Sequence, residues 1–172
     1  MTRTAYRATQ FLQALLARPA ADDARLAANH LPPALGALYN GMSRAEQSHS
    51  LAVLRALLRQ GQTDPDLLAA ALLHDVGKTR APLHLFGRVL VVLAQRLAPG
   101  AAQAWGNGGP HGWRRPFVVA ARHAEWGAEM LELAGASPCL VGMVRQHHAS
   151  LPHGGTEADR QLGALQAADG SH

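Results

Sequence analysis

The sequence is short of cysteine, of charge and of long apolar runs. Its one cysteine, Cys139, excludes a disulfide framework. The longest wholly apolar runs have about the length of the segment from Leu67 to Leu73, which is far too short to cross a membrane. The amino terminus contains Arg3 and Arg7 but no apolar stretch followed by a cleavage site, so it lacks a signal-peptide pattern. We therefore expect a soluble, cytoplasmic protein that does not bind membranes.

Charged residues make up only 16% of the chain, and its positive charge is scattered. Lys78 is the only lysine, which leaves fifteen arginines (16 basic residues minus one) and a formal net charge of +4. Arg114 and Arg115 are the only adjacent basic pair. Because no basic cluster is present, we interpret most of these residues as solvated helix faces and do not expect a nucleic-acid partner. The sequence does not indicate the oligomeric state.

Alanine and leucine dominate the composition, and clusters of β-branched residues that would indicate strands are few. With 172 residues, the chain is long enough to bury a core without disulfides or a structural metal. We predict an all-α, single-domain, compact helical bundle. Residues 1–42 should form an N-terminal helical extension packed on the core, and residues 43–172 should form the core itself.

Apolar periodicity and capping residues divide the chain into helices. The capping box Ser43-Arg44-Ala45-Glu46 opens a long helix that runs to Gln60. Pro99-Gly100 should end a helix, and the glycine-rich stretch from Trp105 to Pro116 is predicted to be a loop with the hinges of a lid. The other predicted helical segments are Thr4 to Ala17, short pieces around Leu26, Leu35 and Leu38, Asp66 to Leu73, Leu83 to Leu97, Phe117 to Leu133, the segment capped by Ser137 and begun by Pro138 that ends at His147-His148, and the segment from Thr156 to Asp169.

The stretch Leu-Leu-His-Asp-Val-Gly-Lys, residues 72–78, places a histidine and an aspartate side by side at the end of an apolar helix. Adjacent helical residues point about 100° apart, so His74 and Asp75 would approach one metal from two sides, or the carboxylate would bridge two metals. A buried His–Asp pair is costly unless a cation compensates it. Gly77 should then provide the left-handed stop that often closes a helix. The alternative is that Asp75 and Gly77 are merely helix-end residues and that His74 is a satisfied core imidazole.

Further imidazoles and carboxylates recur on other predicted helices, in the order H…HD…H…HH…D. One or two ligands from each of five helices would build a dinuclear site inside an all-α bundle. Because the set holds imidazole and carboxylate without thiolate, it suits two divalent ions of Fe, Mn, Zn or Ni. The candidate ligands are His49, His74, Asp75, His123, His147, His148 and Asp169.

This ordered pattern resembles the HD-domain superfamily of metal-dependent phosphohydrolases over residues 43–169. The motifs that carry the resemblance are "HSLAV", "LLHDVGK", "HAEWGAEML", "VRQHH" and "LQAAD". The branch of the superfamily that cleaves cyclic di-GMP has a His-His-Glu…Gly-Tyr-Pro signature. That signature is absent here, since Ala-Ser-Leu-Pro-His-Gly-Gly follows the His-His pair.

The resemblance implies a metal-dependent phosphohydrolase or phosphodiesterase in which a hydroxide bridging two metals attacks the phosphorus. Its substrate would be a phosphorylated small molecule, with a nucleotide-like compound expected. One metal would be held by His49, His74, Asp75 and Asp169. Asp75 would bridge to a second metal held by His123, His147 and His148. Asp75 and Lys78 are the candidate catalytic residues.

Several roles stay open at this level. Either His147 or His148 would serve as the ligand while the other supports it, since both follow Val144 at helical spacing. Asp169 would otherwise be a C-terminal cap, and Lys78 a charge at a helix end. Glu46 is interpreted as part of the capping box rather than as a ligand for a third metal.

The candidates for phosphate contacts are Arg80, Arg115, Arg122 and Arg145. The remaining histidines, His30, His84, His111, His153 and His172, are expected to be solvated. Two other classes of function remain possible for an HD fold. One is a mixed-valent di-iron oxygenase, and the other is a sensor or binding domain that holds metal without turnover.

Overall fold

The computed structural model describes residues 21–150 and 155–171, and within these ranges it contains helices and no strand. This confirms the prediction of an all-α, single-domain bundle. The predicted helix from Thr4 to Ala17 lies outside the described residues, as do His153 and His172. The α-helices are α1 (Ala21–Ala28), α2 (Pro33–Asn40), α3 (Arg44–Arg59), α4 (Pro65–Leu73), α5 (Leu85–Leu97), α6 (Pro99–Trp105), α7 (Arg115–Leu133), α8 (Pro138–Gln146) and α9 (Glu157–Asp169). Two short 3₁₀ helices span Val76–Arg80 and Gly112–Arg114.

Side-chain caps begin four of these helices, as their local sequences indicate. Ser43 accepts a hydrogen bond from the Glu46 N–H, and Glu46 accepts one in return from the Ser43 N–H, which completes the predicted capping box. Thr156 forms a second capping box with Asp159, and Ser137 caps α8. Asp64 caps α4 by accepting a hydrogen bond from the Leu67 N–H.

Helix α4 is the centre of the bundle. Every residue from Leu67 to Leu73 is buried, and α3, α8 and α9 pack around them. A helix that is apolar on all sides is stable only when it is enclosed by other elements. From the described part of residues 1–42, Leu31, Leu35 and Tyr39 join the same apolar core. The carboxyl end of α4 therefore delivers the residues that follow it to the middle of the protein.

The region around α5 and α6 differs from the sequence-based prediction. Helix α5 ends at Leu97, before Pro99 as predicted, but Pro99 also begins α6, which the sequence did not indicate and where the fixed φ of proline suits the first turn. The predicted loop from Trp105 to Pro116 is also shorter, since α7 already begins at Arg115. Edge-on packing of the Trp105 ring against the rings of Trp113 and Phe117, with centroids 5.3 and 5.0 Å away, ties this segment to α7.

Gly77 does not adopt the left-handed conformation that the sequence suggested, because it lies within the 3₁₀ helix Val76–Arg80. Its lack of a side chain serves close packing instead. A Cβ at this position would overlap the carbonyl oxygen of His123 and lie 2.5 Å from the backbone nitrogen of Gly127. Gly77 thus lets the chain immediately after Asp75 lie directly on α7 at His123.

No helix in the described ranges is long and apolar enough to cross a membrane.

Candidate metal centre

His74 and Asp75 follow the last residue of α4 and are almost fully buried, with 1% and 5% of their surfaces exposed. The Nδ1 atom of His74 donates a hydrogen bond to the carbonyl oxygen of Ala71 over 3.1 Å. Its Nε2 atom is buried and has no hydrogen-bond partner among the described residues. A carboxylate oxygen of Asp169 lies 3.5 Å from this nitrogen without a hydrogen bond. An orphaned buried nitrogen is costly, and it indicates a missing ligand.

A first group of metal-ligand type joins α3, the end of α4 and α9. It consists of His49, His74 and Asp169, whose ligand atoms lie within 4.8 Å of one another. The Nε2 atom of His49 lies 2.8 Å from Oδ1 of Asp169. The structure therefore brings the first and last members of the sequence pattern, 120 residues apart, into direct contact.

A second group joins α7 and the two residues that follow α8. It consists of His123, His147 and His148, whose ligand atoms also lie within 4.8 Å of one another. The Nε2 atom of His123 is 3.3 Å from Nε2 of His147 and 3.1 Å from Nε2 of His148. Both residues of the His-His pair thus reach the site, and the geometry does not reduce either of them to a supporting role.

Backbone carbonyls fix the orientation of three of these rings. The Nδ1 atoms of His74, His123 and His147 lie 3.1, 3.0 and 2.7 Å from the carbonyl oxygens of Ala71, Val119 and Val144 respectively. Because a carbonyl oxygen only accepts, each Nδ1 must carry the proton, and the neutral ring then presents a bare Nε2. Nitrogen lone pairs that converge in this way are how histidines are oriented toward a metal ion. Together with the orphaned nitrogen of His74, this donor set fits divalent cations.

Asp75 lies between the two groups. Its Oδ1 is 3.4 Å from Nε2 of His123 in the second group, and its Oδ2 is 3.7 Å from Nε2 of His74 in the first group. Lys78, one turn further on, donates a hydrogen bond to Oδ2 over 2.6 Å. One carboxylate with an oxygen toward each group has the geometry of a bridging ligand.

The electrostatics keep both carboxylates ionised. Burial alone would raise the pKa of Asp75, but Lys78, His74 and His123 outweigh it and hold that pKa well below its usual range. Burial likewise opposes the shift at Asp169, where the neighbouring imidazoles of His49 and His74 lower the pKa. Both groups are therefore in the form that binds metal.

The pKa values of the imidazoles are shifted in different directions. Burial, with His148 and His74 nearby, lowers the pKa of His147 to about 3, and burial beside His123 also lowers the pKa of His148. Burial would lower the pKa of His74 as well, but the carboxylates of Asp75 and Asp169 outweigh it and raise that pKa. The two carboxylates thus favour a positive charge at His74 Nε2. A metal ion would supply that charge in place of a proton.

A cavity of about 1390 Å³ opens over the two groups. Five residues of the candidate site line it, and they are His49, Asp75, Lys78, His123 and His148. None of residues 106–112, predicted as a lid, contributes to its lining in the described structure.

The four arginines predicted to contact phosphate fall in different places. Only Arg145 lines the cavity, where it donates hydrogen bonds to Glu125 and Glu132. Arg80 is paired with Glu129, and the guanidinium of Arg122 lies over the ring of Trp126. Arg115, the first residue of α7, does not line the cavity either. For these residues a phosphate contact stays a prediction.

Arg88 of α5 lines the cavity and was missed in the sequence. It donates a hydrogen bond from Nη2 to Oε1 of Glu46 over 2.8 Å, while Oε2 of Glu46 accepts from the Ser43 N–H. Both oxygens of Glu46 are thus engaged, and Glu46 belongs to neither ligand group. No local pattern signals a pairing across 42 positions.

These features define a class of protein: a helical bundle whose buried and partly exposed histidines and aspartates form two adjoining metal-ligand groups. The family model of the HD domain matches residues 47–172, and the chain belongs to this family. No match was found among curated proteins or among solved structures.

Proposed function

We propose that this chain is a metal-dependent phosphohydrolase with a dinuclear centre. The observation that carries the proposal is Asp75, whose two oxygens face two separate groups of ligand atoms, beside a buried His74 nitrogen that lacks a partner. Membership of the HD-domain family, whose members are largely metal-dependent phosphohydrolases, supports the same conclusion.

Each group would hold one divalent cation. His49, His74 and Asp169 would bind the first, and His123, His147 and His148 the second, with Asp75 shared between them. When bound, two such ions supply charge that neutralises phosphoryl oxygens and lowers the pKa of a water molecule at the site. The donor set of nitrogen and oxygen without sulfur suits Fe, Mn, Zn or Ni.

The protein's own contribution is orientation and charge. The carbonyls of Ala71, Val119 and Val144 orient the rings of His74, His123 and His147 before a metal binds. Lys78 lines the cavity next to Asp75, where its ammonium group would donate a hydrogen bond to a phosphoryl oxygen. The same group would give a proton to the leaving oxygen.

The test is phosphate release from a panel of phosphomonoesters and phosphodiesters by the protein loaded with each candidate metal, with metal content and oxygen consumption recorded in parallel. We expect metal-dependent hydrolysis that Asp75→Ala abolishes together with most of the bound metal. Oxygen consumption by the iron form without hydrolysis would establish the oxygenase alternative instead. Full metal occupancy with no turnover of any phosphoester would leave a binding or sensor domain.

A further inference from the structure

The cavity over the candidate centre extends well beyond the metal ligands. It reaches α5, which contributes Arg88, Val91, Val92 and Gln95 to its lining. A volume of about 1390 Å³ exceeds the roughly 300–1,000 Å³ of most small-molecule pockets, so a substrate would contact more than the centre alone. The chemistry of these outer walls should therefore select the organic part of the substrate.

The outer walls carry an aliphatic stretch beside the polar side chains of Glu46, Arg88, Gln95 and Arg145. Small and branched apolar side chains from three segments form this stretch, and these include Leu83, Val91, Val92, Val119, Ala120 and Ala124. In the described part of the lining, the only aromatic rings are the imidazoles of the candidate centre, and the guanidinium groups of Arg88 and Arg145 are held by carboxylates. Proteins that recognise nucleobases commonly stack them on aromatic rings or on guanidinium planes. The stretch of leucine, valine and alanine instead favours an alkyl chain, which gains free energy in proportion to the apolar area it buries.

The cations on these walls are already paired with carboxylates that belong to neither ligand group. Arg88 donates to Glu46 over 2.8 Å. Arg145 donates from Nε to Glu125 over 3.1 Å and from Nη2 to Glu132 over 3.0 Å. A second or third phosphate group would therefore meet side chains whose charge is largely balanced. The site thus offers strong compensation for one phosphate, at the centre itself.

We infer that the substrate is an aliphatic phosphate ester, with its single phosphate at the metal centre and an uncharged carbon chain along α5. This rests on the proposed function, and it replaces the nucleotide-like substrate expected from the sequence. In the reaction, the oxygen of water forms a bond to phosphorus as the bond from phosphorus to the ester oxygen breaks. A proton passes to that oxygen, so that the products are the alcohol and inorganic phosphate.

Binding of non-hydrolysable alkylphosphonates tests this inference without requiring turnover. Calorimetric titration of the manganese-loaded protein with the ethyl to octyl compounds should show Kd falling about threefold to fourfold per methylene, since each buried methylene contributes about 0.8 kcal/mol. Adenosine 5′-monophosphate and adenosine 5′-triphosphate should bind more weakly than octylphosphonate. Affinity that does not depend on chain length, or tighter binding of either nucleotide, would overturn the inference.

Two matched variants on α5 locate the chain. Val92 lines the cavity and is 51% exposed, whereas Val89 is 43% exposed and does not line it, so the same substitution should disturb folding equally little at both. Val92→Asn should weaken octylphosphonate binding about tenfold and leave ethylphosphonate unchanged, and Val89→Asn should change neither. Equal effects of the two variants would contradict the placement. If the chain-length trend holds while no phosphoester is hydrolysed, the proposed function fails on its own.

Discussion

At the scale of single residues, the candidate centre depends on hydrogen bonds that side chains make on their outer sides. Three histidines each donate Nδ1–H to a carbonyl oxygen one helical turn earlier in the chain, which directs Nε2 inward. Such a bond needs no partner distant in sequence, because each carbonyl acceptor precedes its histidine by only three or four residues. The ring orientation is thus a consequence of where each histidine stands on its own helix.

Lys78 provides a prediction that separates catalysis from metal binding. Lys78→Ala should retain the bound metal and lose about 2–4 kcal/mol of transition-state stabilisation, the typical loss for one electrostatic donor, which is a fall in kcat of about 30-fold to 1,000-fold. The measurement is hydrolysis of one good phosphoester at matched metal loading. Arg160→Ala is the control, since Arg160 lies on α9, pairs with Glu157 and does not line the cavity. Equal rates for wild type and Lys78→Ala would leave Lys78 as a charge at a helix end.

At the scale of elements, the contact between the 3₁₀ helix Val76–Arg80 and α7 sets the distance between Asp75 and His123. Gly77 is the residue that permits this contact, because a side chain there would overlap the carbonyl oxygen of His123. Gly127 lies opposite, and its own Cβ would stand 3.3 Å from the backbone nitrogen of Gly77. Gly77 and Gly127 thus allow the 3₁₀ helix that follows Asp75 to pack directly on α7, which carries His123 of the second ligand group.

Gly77→Ala should therefore lower the free energy of unfolding strongly, by about 2–4 kcal/mol. The added methyl group would overlap backbone atoms of His123 and Gly127 on α7, which cannot move aside as a flexible side chain can. The control is Gly142→Ala in α8, where a Cβ would meet nothing within 4 Å and alanine favours the helix by about 1 kcal/mol. Chemical denaturation of the two metal-free variants gives the comparison. A Gly77→Ala protein as stable as wild type would show that the approach of the 3₁₀ helix to α7 is looser than described.

Sequence alone predicts those elements whose signals are local. Ser43, Ser137 and Thr156 each cap a helix whose first turn they precede by one residue, so a short window contains both donor and acceptor. The role of Gly77 was predicted wrongly because the reason for a glycine lies on α7, about 50 residues away. The bond between Arg88 and Glu46 was missed for the same reason. The order of the candidate ligands was visible in the sequence, but which rings face one another was not.

At the scale of the whole molecule, the fold gathers buried ionisable groups whose protonation affects stability. Burial together with His148 and His74 lowers the pKa of His147 to about 3 from a usual 6.5. When a histidine has a lower pKa folded than unfolded, the unfolded chain binds more protons at intermediate pH, so the stability it contributes is present above pH 6.5 and is lost as pH falls toward 3. His148 acts in the same direction, whereas the raised pKa of His74 acts in the opposite one.

Metal-free wild type should therefore lose stability between pH 7 and pH 5, with about 1–2 kcal/mol of that loss due to His147. The His147→Gln variant should lose correspondingly less over the same interval, because glutamine does not titrate. Urea denaturation of both proteins at half-unit steps of pH provides the comparison. Identical pH dependence for the two proteins would mean that His147 takes up its proton without unfolding.

The central claim is that two cations lie on either side of Asp75, and anomalous diffraction from crystals of the manganese-loaded protein tests it most directly. Two anomalous peaks are expected about 3.5–4 Å apart, the usual separation in two-metal hydrolytic sites. One should be bound by His49, His74 and Asp169, the other by His123, His147 and His148, with one oxygen of Asp75 on each. A single peak, or two peaks of which only one touches Asp75, would contradict the account.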